Sequence, residues 1–359
     1  MNKLYIDYNP QYIRIAYTEK GLLTEFAVER SYMRGPVGNI YKGKVENVLS
    51  GMKAAFINIG LSRNGFLHVD QSLVDSRQYG AVVERKPLKL TPGDSVMCQV
   101  VKDSFGEKGV KLSLEITIPG KLCVLLPNSS FIGVSRKITD DARRDYLEDL
   151  AASSVPPKSG LIIRTAAEHA SDSEILSELD ELVSIWKEIE KKYQTAPEKS
   201  IIYREDDLLR RALRDFSGYE IDEIYVNDDK ALETASMLMP GIKINKYDGE
   251  ENILLRYGLG PQINALRSRE VPLSSGGFIV IDKTEALTVI DVNTGHYVGG
   301  KNLEDTVYKT NLEAAVTIAR QIRARNIGGI IIVDFIDMAD TAHKEEVLKV
   351  LCEAVKSDG

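Results

Sequence analysis

Two apolar runs, each closed by an aspartate, bracket one long amphipathic stretch near the end of this 359-residue chain. ALTVID runs from Ala286 to Asp291. NLEDTVYKTNLEAAVTIARQIRARN follows it, and GGIIIVDFIDM comes next, with Asp334 after IIIV. Strand, helix and strand in that order predict a crossover unit with a covered sheet. Asn302, with Asp305 at the capping-box position, is the predicted helix start, and Gly328-Gly329 the stop. GGFIVID, Gly276 to Asp282, pairs with ALTVID as a hairpin.

An apolar strand that stops at a carboxylate sets that carboxylate at the sheet end, where open α/β sheets bind ligands. Asn293 lies two residues beyond Asp291, so in an extended segment both side chains share one face. Two carboxylates and an amide oxygen are hard ligands suited to Mg²⁺ or Mn²⁺. Such an ion activates water and neutralises phosphodiester charge. Taken singly, an Asp after a strand caps a turn or a helix. Asp291 and Asp334 around one crossover leave the two readings evenly open. Asp282 reads as a turn residue, and Asp337 as a supporting or surface acid.

The rest of the chain is built of shorter pieces. KLYID, YIRIAY and LLTEFAVER alternate as a β-meander, too small to stand alone. A segment near 201 to 267, with DDLLRRALRDF, EIYV and KALETASML, is its expected packing partner. Between them, residues 36 to 118 hold five short Gly-punctuated strands: NIYKGKVENV, AAFINIG, NGFLHV, DSVMCQVV and KGVKLSLEI. They predict a small barrel. Residues 119 to 200 carry KLCVLLP, GLIIRT and a helix opened by the Ser171/Glu174 capping box. Ile175, Leu179, Leu182, Val183, Trp186 and Ile189 form its apolar face.

Charge separates the barrel from its surroundings. The chain has 46 Lys and Arg against 53 Asp and Glu, a net of −7. Residues 36 to 118 hold eleven basic and eight acidic residues, a net of +3. A basic barrel in an acidic chain points to nucleic acid. Phe56 and Phe66 stand on neighbouring strands, with Lys42, Lys44, Arg63 and Lys108 around them, the equipment for stacking single-stranded bases. From residue type alone, Phe56 reads as core and Phe66 stays open. Arg164-Thr165 at the end of GLII suits a terminal phosphate. Read by itself, the pair is better taken as a strand-end arginine in water. His68, His169, His296 and His343 show no pairing pattern.

Composition excludes several classes. Hydrophobic residues at 43% and charged residues at 28% are ordinary for a folded protein. There is neither an eighteen-residue apolar run nor an N-terminal apolar h-region, so no membrane span or signal peptide is expected. Cys98, Cys123 and Cys352 form neither a disulfide framework nor a CxxC site and fit a reducing cytoplasm.

GNIYKGKVENVLSGMKAAFINIGLSRNGFLHVD resembles the RNA-binding S1 motif. ALTVIDVNTG, with NLEAAVTIARQIRARNIGGIIIVDFIDM, resembles the catalytic core of the bacterial ribonuclease E/G family, and the likeness runs in order along the whole chain. It implies an α+β and α/β multidomain fold. An RNase H-like domain is split between 1–35 and 201–267. An S1-type OB barrel (36–118) and a 5′-phosphate-sensor segment with a long helix (119–200) are inserted into it. A DNase I-like catalytic domain (268–359) closes the chain. The implied activity is a Mg²⁺-dependent, single-strand-specific endoribonuclease. It cuts AU-rich RNA, is stimulated by a 5′-monophosphate, and leaves 5′-phosphate and 3′-hydroxyl ends.

Carried over by motif, Asp291 and Asp334 hold the metal, and Asn293 positions them or the attacking water. Phe56, Phe66 and Lys108 contact RNA. Gly120, Val124, Arg164 and Thr165 line the 5′-phosphate pocket. Asp7 is structural. The family's CPxCxG-type pair, which shares a zinc between subunits, lies beyond Gly359, as does one wall of that pocket. The zinc, the small dimerisation domain and the homo-oligomer are therefore left open for this chain. Other readings also stay open: a non-catalytic RNA-binding protein, a core inactive without the region that follows, or a metal-dependent DNA nuclease or phosphatase. Ribosomal RNA maturation and mRNA decay are not distinguished.

Overall fold

Alternating apolar residues make the first three strands: β1 (Asn2–Asn9), β2 (Tyr12–Glu19) and β3 (Leu22–Arg30). They form an antiparallel meander. The computed structural model describes residues 1–68, 89–104, 109–295 and 303–357. The chain divides into two units, Tyr32–Tyr219 and Met1–Ser31 with Glu220–Gly359.

Five strands build the barrel of the Tyr32–Tyr219 unit: β4 (Ile40–Leu49), β5 (Ala54–Asn58), β6 (Gly65–His68), β7 (Ser95–Lys102) and β8 (Lys111–Ser113). Their order is β4-β5-β6-β8-β7, and a β4–β7 pairing closes the ring. The β6–β8 pair is parallel, the others antiparallel. Tyr41, Val45, Ala55, Ile57, Leu67, Cys98, Val100 and Leu112 fill the interior. A second sheet follows, with β9 (Ile118–Pro119), β10 (Cys123–Leu126), β11 (Ile132–Val134) and β12 (Gly160–Ile163) in the order β11-β12-β10-β9. Helix α1 (Asp141–Ser154) lies between β11 and β12 in sequence; α2 (Asp172–Thr195) follows β12. Both pack on this sheet. The Ser171/Glu174 capping box is fully formed. Ile175, Leu179, Leu182 and Ile189 are buried as the spacing requires, with Val183 and Trp186 half-buried. Strand β13 (Ser200–Tyr203) pairs with β4, and α3 (Leu208–Asp215) follows it. Sequence spacing missed α1, because only Leu147 and Ala151 of its face are buried.

Beyond residue 219 the chain returns to the meander. Strands β14 (Glu223–Val226) and β15 (Lys243–Lys246) add in parallel beside β1, on either side of α4 (Asp229–Leu238) in sequence. The sheet order is β15-β14-β1-β2-β3, so the EIYV segment is the partner the meander lacked. Two short helices, α5 (Ile253–Arg256) and α6 (Leu259–Ala265), cover one face of it. The last sheet runs β16 (Glu270–Pro272), β17 (Phe278–Lys283), β18 (Leu287–Asn293) and, after α7 (Leu303–Arg325), β19 (Ile330–Asp334). Helix α8 (Thr341–Ala354) packs on α7.

Two expectations change here. Helix α7 stops at Asn326 rather than at Gly328-Gly329. Asn326 takes the left-handed conformation (φ 51°), its N–H bonds Arg323 O at 3.0 Å, and Ile327 N bonds Ile322 O at 3.0 Å. Asparagine tolerates that region and closes the Schellman motif. Among the described residues, the sheet is also covered on one face only. Ile279, Ile281, Ile290 and Val292 pack against Ala314, Ile318 and Ile322 of α7. Along β19, Ile330 (64% exposed) and Ile332 (50%) look outward. The expected Asn302 cap lies outside the described residues.

Helix α7 also grips the chain beyond β19. The fully buried Asn311 donates to Ile336 O at 2.8 Å and accepts from Ile336 N at 3.1 Å. Replacing it by alanine strands a donor and an acceptor two residues past Asp334, an expected loss of about 2–4 kcal/mol of stability. Urea unfolding of Asn311→Ala checks this. A loss below about 0.5 kcal/mol, the level of an ordinary surface change, would show that the clamp is dispensable.

Candidate functional site

The crossover unit brings its two aspartates side by side, Asp334 at the end of β19 and Asp291 inside β18, which runs on to Asn293 rather than stopping at the acid. Strands β18 and β19 are parallel, with Asp291 the register partner of Asp334. Both are exposed. Asn293 shares their face, and its Nδ2 donates to Asp291 Oδ2 at 2.8 Å. The outer face around them is apolar at one end, with Val289 and Ile332 opposite each other, and acidic at the other. The i, i+2 reading and the strand-end reading therefore meet at one place. Among the described residues no group of three or more His, Cys, Asp or Glu converges on a point.

Three acceptors or donors on α7 hold the loops around this end of the sheet. Glu313 accepts from Ser274 N and, at 2.8 Å, from Ser275 N. That fixes the turn before β17. Gly277 is needed there, because a Cβ would stand 2.5 Å from Asn293 O. Asn311 grips Ile336. Glu304 accepts from Ala339 N at 3.0 Å and Asp340 N at 3.1 Å, and these backbone bonds hold its carboxyl below the usual range. His343 stacks on Tyr308 with ring centres 4.0 Å apart, so it belongs to this scaffold rather than standing isolated. Sequence reading missed Asn311, Glu304 and Glu313. Only the polar interruptions in an otherwise amphipathic helix could have signalled them.

Two other acids have different work. Asp282 lies inside β17 and receives Arg269 bidentately at 2.6 and 2.7 Å, so the turn reading is replaced by an ion pair. Asp7 is 1% exposed and saturated by Arg14, Asn227 and Asn252. Asp337 is exposed.

On the barrel, Phe56 and Phe66 are register partners, with ring centres 6.0 Å apart in an edge-on arrangement. Both are half-buried, and their neighbours Ala55, Ile57 and Leu67 are the ones that point inward. Phe56 is thus not the core residue its type suggested, because strand alternation puts it outside. Lys42 and Lys44 do not serve this pair. Lys42 donates to Tyr193 O at 2.9 Å, and Lys44 bonds Glu198 at 2.9 Å. Lys108 lies outside the described residues, as does His296. Lys111 was missed: it is exposed and is the register partner of Phe66 on β8.

In the β9–β12 segment, Arg164 follows β12 and Thr165 follows it. Arg164 is not a solvated strand end. It donates to Gly120 O at 2.9 Å and to Asp215 Oδ1 at 2.7 Å. Thr165 Oγ1 shares a hydrogen bond of 2.8 Å with Ser135 Oγ. Glu178 of α2 accepts from Lys121 N, Leu122 N and Cys123 N at 2.7, 2.7 and 2.9 Å. Gly120 makes room for it, since a Cβ there would lie 2.6 Å from the Glu178 carboxylate. The Val124 side chain is buried with Leu126, Phe131 and Ile162, and its main chain lies between Ile162 of β12 and Pro119 of β9, its register partners, so the structure does not present it to a ligand. The cysteines are unpaired. Burial pushes the Cys98 thiol up to about 12, so it is no nucleophile.

No helix among the described residues is long and apolar enough to cross a membrane.

Known proteins match this chain in sequence. The model of the Ribonuclease E/G family matches residues 117–359. Ribonuclease G of Escherichia coli (strain K12) is 38% identical over 99% of this chain and 75% of its own length. Ribonuclease G of Haemophilus influenzae is 38% identical with the same coverage. Ribonuclease E of Haemophilus influenzae is 36% identical over 96% of this chain and 38% of its own length. Identity at this level across the whole chain places the protein in the ribonuclease E/G family.

Proposed function

We propose that this chain is an endoribonuclease of RNA processing and decay, a phosphodiester hydrolase that cuts single-stranded, AU-rich RNA. The observation that carries the reading is the register pairing of Asp291 with Asp334, with Asn293 bonded to Asp291 on the same face. The donor set fits a hard divalent cation: two exposed carboxylates side by side, with room for water and phosphate oxygens in the remaining positions. Asp291 and Asp334 would hold Mg²⁺, or Mn²⁺ in its place. The bound ion supplies charge neutralisation at the scissile phosphate and a more acidic water. Asn293 orients Asp291. The products are a 5′-phosphate and a 3′-hydroxyl.

The sheets support the finer fold reading. Three antiparallel strands followed by two parallel ones, in the order β15-β14-β1-β2-β3, suit the RNase H-like domain read from 1–35 and 201–267, although β13 of the second segment pairs with β4 of the barrel. The β4-β5-β6-β8-β7 ring with a parallel β6–β8 pair suits an S1-type OB barrel. The β16–β19 sheet under α7 suits a DNase I-like catalytic domain. Phe56 and Phe66 would stack bases on the barrel's outer face, and Lys108 would add charge. Arg164 and Thr165, seated by Gly120, would receive a 5′-monophosphate. That phosphate competes with the Asp215 carboxylate for the Arg164 guanidinium. The cellular setting proposed is the cytoplasm.

Each of Asp291→Asn and Asp334→Asn removes a ligand charge. Either is expected to lower cleavage by about 10³-fold or more, several kcal/mol of transition-state stabilisation, while RNA binding persists. The assay follows internal cleavage of a labelled AU-rich RNA, with Mg²⁺ or EDTA. Full activity of either variant in Mg²⁺ would remove the site. Binding without cleavage by the unaltered chain would make it an RNA-binding protein, or a core needing further sequence. Arg164→Ala should bring the ratio of rates on 5′-monophosphorylated and 5′-hydroxyl RNA toward unity. An undiminished ratio in a head-to-head cleavage assay would place the phosphate elsewhere.

A further inference from the structure

The outward face of the barrel continues past its aromatic pair. Across the strands, Phe56 of β5 is opposite Phe66 of β6, Phe66 is opposite Lys111 of β8, and Lys111 is opposite Lys102 of β7. All four share one face, since the inward positions beside them are Ile57, Leu67, Leu112 and Val100. A register shift between Val100 and Lys102 allows this, by carrying Lys102 to the outside. Both lysines are exposed.

Like charges directly opposite each other on neighbouring strands destabilise a sheet. Along β4, by contrast, opposite charges meet. Lys44 meets Glu198, and Lys199 meets Glu46. Lys102 and Lys111 form no ion pair with any described residue. Two cations, unmatched among the described residues, face each other one strand beyond an aromatic pair. An anion between them relieves the repulsion, and an anion tethered to a base also uses the rings.

We propose that Lys111, with Lys102 opposite it, is a phosphate-binding step for single-stranded RNA. The RNA crosses the strands from β5 toward β7, with bases on Phe56 and Phe66 and the following phosphate at the two lysines. With strands about 4.8 Å apart, Lys102 stands about 10 Å from the Phe66 position, within reach of the same bound strand. This rests on the proposal that the barrel's outer face binds RNA, and it adds the path and the charged step.

The test is fluorescence anisotropy of a fluorescein-labelled AU-rich RNA in EDTA, so that nothing is cleaved. Salt is varied between about 50 and 200 mM. Lys111→Ala and Lys102→Ala should each make the slope of log K against log salt shallower by about 0.7, the value for one phosphate contact on a single strand. The double variant should lose about 1.4. Lys111→Arg should keep the slope. Phe66→Ala should weaken binding without changing it. Thermal melts check folding, and each lysine-to-alanine change should leave stability unchanged or raised, because it removes repulsion. Unchanged slopes in both lysine variants, with Phe66→Ala weakened, would overturn the proposal and leave the barrel reading standing. Unaltered binding in all three single alanine variants would overturn both.

Discussion

One buried amide sets the position of the chain just beyond the second aspartate. Asn311 satisfies both backbone groups of Ile336, and no water competes at a side chain that is fully buried. Such paired bonds are worth more where the dielectric is low, and are correspondingly costly to lose. Asp334 is the last residue of β19, so any slack in the following segment would pass directly to its carboxylate. Glu304 and Glu313 extend the same principle to the loops on either side. One helix therefore does two jobs. Its apolar face fills the core with Ala314, Ile318 and Ile322, and its polar residues fix the loops that border the aspartates.

The pair of aspartates was legible because two simple periodicities coincide. Apolar strands ending in acid can be read from residue type, and the i, i+2 relation of Asp291 and Asn293 from extended geometry. The barrel's five strands were legible from alternation and glycine spacing. What alternation cannot give is register across strands. That Asp291 stands opposite Asp334, and Phe66 opposite Lys111, depends on hydrogen bonding between segments far apart in sequence. The family likeness implied the first pairing; nothing in residue order implied the second. Helix α1 and the clamps on α7 were hidden for a related reason. A polar helix face, or a single polar residue in an apolar stripe, has no meaning until its neighbour is known.

The β9–β12 segment shows how one carboxylate can organise a turn. Glu178 consumes the three backbone N–H groups of the Lys121–Cys123 turn, and Gly120 is small enough to admit its carboxylate. The Gly120 carbonyl and Asp215 then hold Arg164. Glycine here is a requirement of close approach, not of left-handed backbone. Arg164 is thereby restrained at its position by two partners. The Asp215 partner is 62% exposed, where an ion pair is weak and exchangeable.

Charge on the barrel is divided by the same logic. The lysines on its described strands, Lys42, Lys44, Lys102 and Lys111, all stand at unburied positions, so sequence alone treats them alike. Tyr193 and Thr195 end α2, and Glu198 and β13 follow, lying along one side of β4, where they take up Lys42 and Lys44. The opposite stretch of the ring, from β5 through β6 and β8 to β7, carries the aromatic pair and the facing lysines. The modest excess of basic residues in this segment is therefore not spread evenly. Among the described residues, Lys44 is neutralised where the chain packs on itself, and Lys102 and Lys111 stand on the side of the rings. An acidic protein can in this way present one locally cationic face to a polyanion while its net charge keeps non-specific attraction low.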